Sequence, residues 1–214
     1  MSKKENVNEG KLPERGYKFF RATLGKIFKL WYNPKVYGKE NIPKDGPILI
    51  TANHKHVMDQ CSIIISTKRV IHYMAKKEYF EGKHAWFFKM AGCIRVDRSI
   101  HDDSAKDAAL NVLESGGAIG LFPEGTRNRT DAFLLPFKFG AVSMAQKTDA
   151  YLVPVGISGD YKFRSKNLKF YIGKPFKVGK MSLEEANKKL AKEIGSLMKK
   201  GQESNKKKNK KVSV

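Results

Sequence analysis

The chain is poor in cysteine: Cys61 and Cys93 are the only two in 214 residues. They are widely spaced and have no cysteine framework around them, which excludes a disulfide-stapled fold and fits a reducing compartment better than a secreted one. Long apolar runs are also missing, and none reaches the roughly 20 residues that a bilayer-spanning helix needs. The nearest, 17–31, is broken by Lys18, Arg21, Lys26 and Lys29. At about 1.5 Å per residue it would also fall short of a roughly 30 Å hydrocarbon core. The first sixteen residues hold almost nothing apolar, which speaks against a cleavable signal peptide. Acids are scarce as well, 21 Asp and Glu against 42 Lys and Arg, for a net charge of +21.

Most of that excess sits at the ends. Residues 1–35 carry nine bases and three acids, and residues 188–211 carry ten bases and two acids. The interior, at 41% hydrophobic and 29% charged for the chain as a whole, reads as one ordinary globular domain. Basic ends on a body that carries only +7 of the net charge suit an anionic partner, and both a lipid surface and RNA qualify. Within 1–35, a polar leader precedes Phe19, Phe20, Leu24, Ile27, Phe28 and Trp31 at helical spacing, and Asn33-Pro34 ends the pattern. A basic amphipathic helix of this kind lies in a membrane interface, with its aromatics inserted and its lysines at the headgroups; the alternative is a helix that packs its apolar face on the domain. Residues 36–200 form the domain proper. Residues 201–214, rich in lysine and with too little apolar to bury a core, read as a disordered basic tail.

From residue 36 on, apolar runs at 48–51, 70–74, 93–96, 118–122, 151–157 and 168–172 alternate with helical patterns near 59–67, 78–90, 103–115 and 138–147. Such alternation means βαβ units and an α/β fold whose mostly parallel sheet is flanked by helices. A last helix opens at Ser182-Leu183-Glu184-Glu185, a capping box.

Directly after the first apolar run comes Asn53-His54-Lys55-His56-Val57-Met58-Asp59. Within one helix, His54 and Asp59 would point about 140° apart. They meet if His54 lies in the turn leaving the strand and Asp59 in the first turn of the next helix, the usual place for a site in an open α/β sheet. Asp59 would then fix the imidazole tautomer and leave the other nitrogen to take a proton from a hydroxyl. No serine or cysteine stands beside them to act as a protein nucleophile, so an incoming alcohol is the natural acceptor. Two other readings stay open on these residues: His54, His56 and Asp59 as metal ligands, or surface histidines beside a helix-capping aspartate.

Three further segments leave strands in charged or tight loops. Phe122-Pro123-Glu124-Gly125-Thr126-Arg127 combines a glycine that admits close backbone approach, a hydroxyl and a guanidinium fork, which together form an anion cradle or an ordinary turn. Gly92-Cys93-Ile94-Arg95-Val96-Asp97-Arg98 ends with Arg98 just past its strand, as an anion ligand, while Arg95 is free to pair with Asp97. Val153-Pro154-Val155 offers only a pocket wall.

In this order, Asn53-His54 with Asp59, Gly92 to Arg98, Phe122 to Arg127 and Val153-Pro154-Val155 resemble the motifs of the glycerolipid acyltransferases, specifically the 1-acylglycerol-3-phosphate acyltransferases. The likeness covers about 36–180. It implies that His54 is the base on the free hydroxyl of a lysophosphatidic acid, that Asp59 orients it, and that Arg98, Glu124, Gly125, Thr126 and Arg127 hold the glycerol phosphate. It further implies an acyl-CoA or acyl carrier protein thioester as donor, phosphatidic acid as product, no metal or cofactor, and work at the cytoplasmic face of an anionic membrane. Asn128-Arg129 departs from the serine frequent after the third motif. Other acceptors, such as glycerol-3-phosphate, fit the same motifs. A nucleic-acid role for the lysine tail is weaker, since the tail lacks aromatic residues for base stacking.

Overall fold

Seven strands form one sheet in the order β1-β7-β6-β2-β5-β3-β4 in the computed structural model. It describes residues 14–97, 99–100, 102–165 and 167–212, with side chains through 206. The strands are β1 (Lys35–Tyr37), β2 (Ile48–Ala52), β3 (Ile71–Lys76), β4 (Ile94–Val96), β5 (Ala118–Leu121), β6 (Tyr151–Ser158) and β7 (Lys169–Ile172). The helices are α1 (Arg15–Tyr32), α2 (Asp59–Ile64), α3 (Ala85–Met90), α4 (Asp103–Glu114), α5 (Gly140–Lys147) and α6 (Leu183–Val212). All neighbouring strands run parallel except β6 and β7. The expected mostly parallel α/β sheet is thus the observed one, with an antiparallel turn-back at β7.

β2 lies in the middle, buried along its whole length, which is why it reads as a continuous apolar run. Its side chains alternate between two cores. Leu49 faces α4, α5 and α6 through Ala109, Leu113, Val142, Ala145, Leu190 and Ile194, whereas Ile48 and Ile50 face Tyr17 and Phe28 of α1 and Ile63 of α2. α1 approaches the end of α2 closely because Gly25 has no side chain; a Cβ there would lie 2.7 Å from Ile65 Cγ2. The helix ends at Asn33, in the left-handed region at φ 46°, whose N–H donates to Lys29 O ahead of Pro34. Its other side keeps Phe19, Leu24, Ile27, Leu30 and Trp31 exposed. Among the described residues no helix is long and apolar enough to cross a membrane.

Three differences from the sequence reading have physical reasons. The helix expected over 78–90 is two pieces, a 3₁₀ turn at Lys77–Phe80 and α3, parted at the exposed Gly82. β1 was not expected, since its three residues are held to β7 by pairing that lies 134 positions away in sequence. Residues 201–214 were expected to be a disordered tail, but α6 opens with the expected capping box, in which Ser182 and Glu185 exchange hydrogen bonds, and runs on to Val212. Gly201 sits where a Cβ would be 2.0 Å from Ser158 Oγ, Lys169 Nζ donates to Ser204 Oγ at 2.6 Å, and Asn205 Nδ2 donates to Asn167 O at 2.9 Å. Contact with the sheet, absent from composition, orders that stretch.

Candidate active site

Where β2 leaves the sheet, the Asn53 side chain pins the chain to β6. Its amide donates to Ile157 O at 3.1 Å, and its oxygen accepts from Ile157 N at 2.7 Å. The turn that follows brings His54 to Asp59, the first residue of α2, with Nδ1 and Oδ2 2.8 Å apart. Asp59 is 0% exposed, and its Oδ2 also accepts the backbone N–H groups of Lys55 (2.7 Å) and His56 (2.8 Å). The remaining oxygen, Oδ1, accepts from the Tyr161 hydroxyl at 2.6 Å. Because Oδ2 is an acceptor, the tautomer assigned from this network carries its proton on Nδ1 and leaves Nε2 basic. The imidazole is stacked on Phe122, with centroids 4.0 Å apart, and is 18% exposed, so it is held in plane yet reachable.

The loop after β5 lies beside it, because β2 and β5 are paired in parallel and both end at this edge. Glu124 is buried, and both of its oxygens are occupied by backbone: Oε1 accepts from His54 N at 2.6 Å and Oε2 from Leu135 N at 2.9 Å. Burial raises its pKa above the ordinary glutamate value, against the lowering effect of those two N–H donors. Glu124 was expected among the phosphate ligands; with both oxygens taken by backbone N–H groups, its carboxylate braces the loop. Gly125 has φ 69°, and a side chain there would collide with Lys138, whose Cε lies 2.9 Å from the Cβ position. Thr126 is exposed and Arg127 half-buried, and Arg127 has no ion-pair partner among the described residues. Arg127, Arg129 and Lys138 are the cations of this loop, and Lys138 is the one beside Gly125. Asn128 N donates back to His54 O at 2.7 Å, so both peptide groups of His54 are tied to the β5 loop.

Arg98 lies outside the described residues. The strand before it does not pair Arg95 with Asp97. Arg95 reaches Glu81 at 3.4 Å, while Lys77 Nζ bonds Asp97 at 2.7 Å and, with Ser99, holds that carboxyl well below the usual aspartate range. His56 does not join His54 as a ligand; its ring stacks on Tyr161 with centroids 4.1 Å apart. Among the described residues no three His, Cys, Asp or Glu side chains converge to hold a metal ion. Sequence reasoning missed Tyr161 and Lys138. Tyr161 lies 102 residues from Asp59, and only the β6–β2 pairing brings it near.

An open, mostly parallel α/β sheet with a histidine–aspartate pair at its strand ends sets the class of molecule. The family model described as Acyltransferase matches residues 33–158, and the chain belongs to that family. It is 36% identical over 167 residues to the 1-acyl-sn-glycerol-3-phosphate acyltransferase of Bacillus subtilis, covering 74% of this chain and 81% of that protein. Identity to the enzyme of the same name from Borreliella burgdorferi is 35% over 141 residues, 64% of this chain and 56% of that protein. The chain therefore spans only about half of some relatives. Its fold matches the crystal structure of the 1-acyl-sn-glycerophosphate acyltransferase PlsC from Thermotoga maritima with a TM-score of 0.67 and 25% identity, over 86% of this chain and 81% of that one.

Proposed function

We propose that the chain transfers an acyl group from a thioester, acyl-CoA or acyl carrier protein, to the sn-2 hydroxyl of 1-acyl-sn-glycerol-3-phosphate, giving phosphatidic acid. The observation that carries this is the 2.8 Å His54–Asp59 pair, oriented to leave Nε2 free, beside a loop that presents Arg127. Nε2 takes the hydroxyl proton as the alkoxide oxygen attacks the thioester carbonyl. The tetrahedral intermediate collapses, the C–S bond breaks, and the imidazolium returns the proton to the departing thiolate. No covalent enzyme intermediate is needed, and the dyad contributes roughly 10²–10⁴-fold as general base. Arg127 and Lys138, with Gly125, Thr126 and Arg98, hold the acceptor phosphate, and no metal enters the chemistry. The names of the matching relatives support the acceptor.

The acceptor and product are lipids, so the reaction belongs at the cytoplasmic surface of an anionic membrane. α1 supports that placement. At 100° per residue, Ile27 and Leu30 fall on the side away from Tyr17, Gly25 and Phe28, with the exposed Leu24 and Trp31 at its edge; Lys26 borders that side, and Lys18 and Lys29 lie across the helix from it. Each base near an anionic leaflet adds about 1 kcal/mol.

The test offers purified protein lysophosphatidic acid, or glycerol-3-phosphate, with either thioester, beside His54→Ala. Wild type forms phosphatidic acid, and the variant loses nearly all turnover while keeping its fold. Equal rates in both proteins would sink the base assignment. Turnover of glycerol-3-phosphate alone would move the acceptor. Ile27→Asp with Leu30→Asp should release the protein from anionic vesicles in a flotation assay, and unchanged flotation would remove α1 from the interface.

A further inference from the structure

The loop that carries Tyr161, between β6 and β7, is built onto α1. Arg164 N donates to Trp31 O at 2.8 Å, and the Phe163 ring meets Trp31 edge-on with centroids 4.8 Å apart. Tyr161 itself lies between α1 and the dyad. One side of its ring meets Tyr32 and Phe28, at centroid distances of 5.5 and 6.5 Å, and its ring stacks on His56. Its hydroxyl reaches Asp59 Oδ1. A continuous series of contacts therefore runs from α1 through Tyr161 and Asp59 to His54.

We propose that Tyr161 is a positioning residue for acyl transfer, and that α1, by clamping the Tyr161 loop, sets the alignment of the His54–Asp59 pair. The argument rests on the reading of His54 as the base. Oδ2 is fixed by three donors, but a carboxylate held by one oxygen can still swing about it, and Tyr161 donates to the other. Burial, followed by the charge of Asp59, raises the Tyr161 pKa far above its ordinary value, so the phenol stays protonated and donates. The other ionisable groups around the dyad are His56 on its own loop, Cys61 on α2, Tyr73 on β3, Glu124 on the β5 loop and Tyr32 on α1. Burial pushes Cys61 up to about 12 and Tyr73 well above its usual value, so both remain neutral near pH 7.

The phenol also spreads the negative charge of Asp59. Without it the carboxylate is more basic and holds an imidazolium more tightly. Tyr161→Phe should therefore move the His54 ring titration to higher pH, read by NMR without any substrate. Its kcat should fall about tenfold, part of the value of one charged hydrogen bond, with the acceptor KM little changed. Tyr32→Ala should move both quantities the same way by less, and the double variant should add less than the sum, because both changes act on one hydroxyl. An unmoved His54 titration in a folded Tyr161→Phe would overturn the proposal, as would strict additivity of the two variants. If instead the titration shifts but wild type turns over no lysophospholipid, the positioning stands and the function proposed above falls.

Discussion

Replacing Asp59 by asparagine separates orientation from charge at this site. Asparagine has the shape of aspartate, so the question is which way its amide turns. Oδ2 faces three donors, His54 Nδ1 and the N–H groups of Lys55 and His56, while Oδ1 faces one hydroxyl that can rotate to accept. Turning the amide nitrogen toward the three donors would leave several buried groups unsatisfied, at about 1–3 kcal/mol each. The carbonyl oxygen therefore takes the Oδ2 position, Nδ1 keeps its proton and the tautomer is preserved. What disappears is the negative charge beside the developing imidazolium. The difference between a charged and a neutral hydrogen bond is about 1–2 kcal/mol, so kcat/KM should fall roughly 5–30-fold. In serine-type triads the same change gives the wrong tautomer and a loss of about 10⁴. Thioester cleavage followed by thiol release, across pH 5 to 9, gives the rate and also the acid limb. That limb should move down in pH for Asp59→Asn, opposite to Tyr161→Phe. Inactivity equal to that of His54→Ala, or a ring spectrum with the proton on Nε2, would refute the argument.

Three other changes follow from separate parts of the molecule. Glu124→Gln places an amide donor against one of two backbone donors, and should cost about 1–3 kcal/mol of stability, read by urea unfolding, before it affects acceptor binding. His72 is buried with Nδ1 on Gly92 O at 2.7 Å, and burial lowers its pKa below 6.5. The unfolded chain thus binds a proton more readily than the folded one below pH 6.5, and stability should fall with acid there by at most about 1.4 kcal/mol per pH unit; His72→Asn should flatten that slope. Gly201→Leu would drive a side chain into Ser158 and lift the end of α6, costing about 1–3 kcal/mol and exposing the amides of 202–206 to hydrogen exchange.

The sequence shows these features unequally, for physical reasons. β2, β5 and β6 are covered on both faces, so hydrophobicity alone marks them. His54 and Asp59 were legible because a strand end and a helix start fix their relation within five residues. Local pattern does not reveal β1, whose stability lies in its partner, or the antiparallel β7, whose direction is set by the 159–167 loop. The residue types around Glu124 announce an anion site, but which of them face the anion depends on where the neighbouring amides point. Both oxygens of Glu124 turned inward to His54 and Leu135, and Lys138 arrived from a return of the chain. Tyr161 stands in a segment with no periodicity at all.

The two peptide groups of His54 are both fastened to the β5 loop, its N–H to Glu124 and its carbonyl to Asn128. Under the proposed function, proton transfer and acceptor recognition are therefore not separable modules. An engineer who grafts a foreign β5 loop to change the headgroup would also be resetting the scaffold under the base. Loop and histidine turn must be exchanged together, and selection for a new acceptor should accumulate paired substitutions across the two segments rather than isolated ones in either.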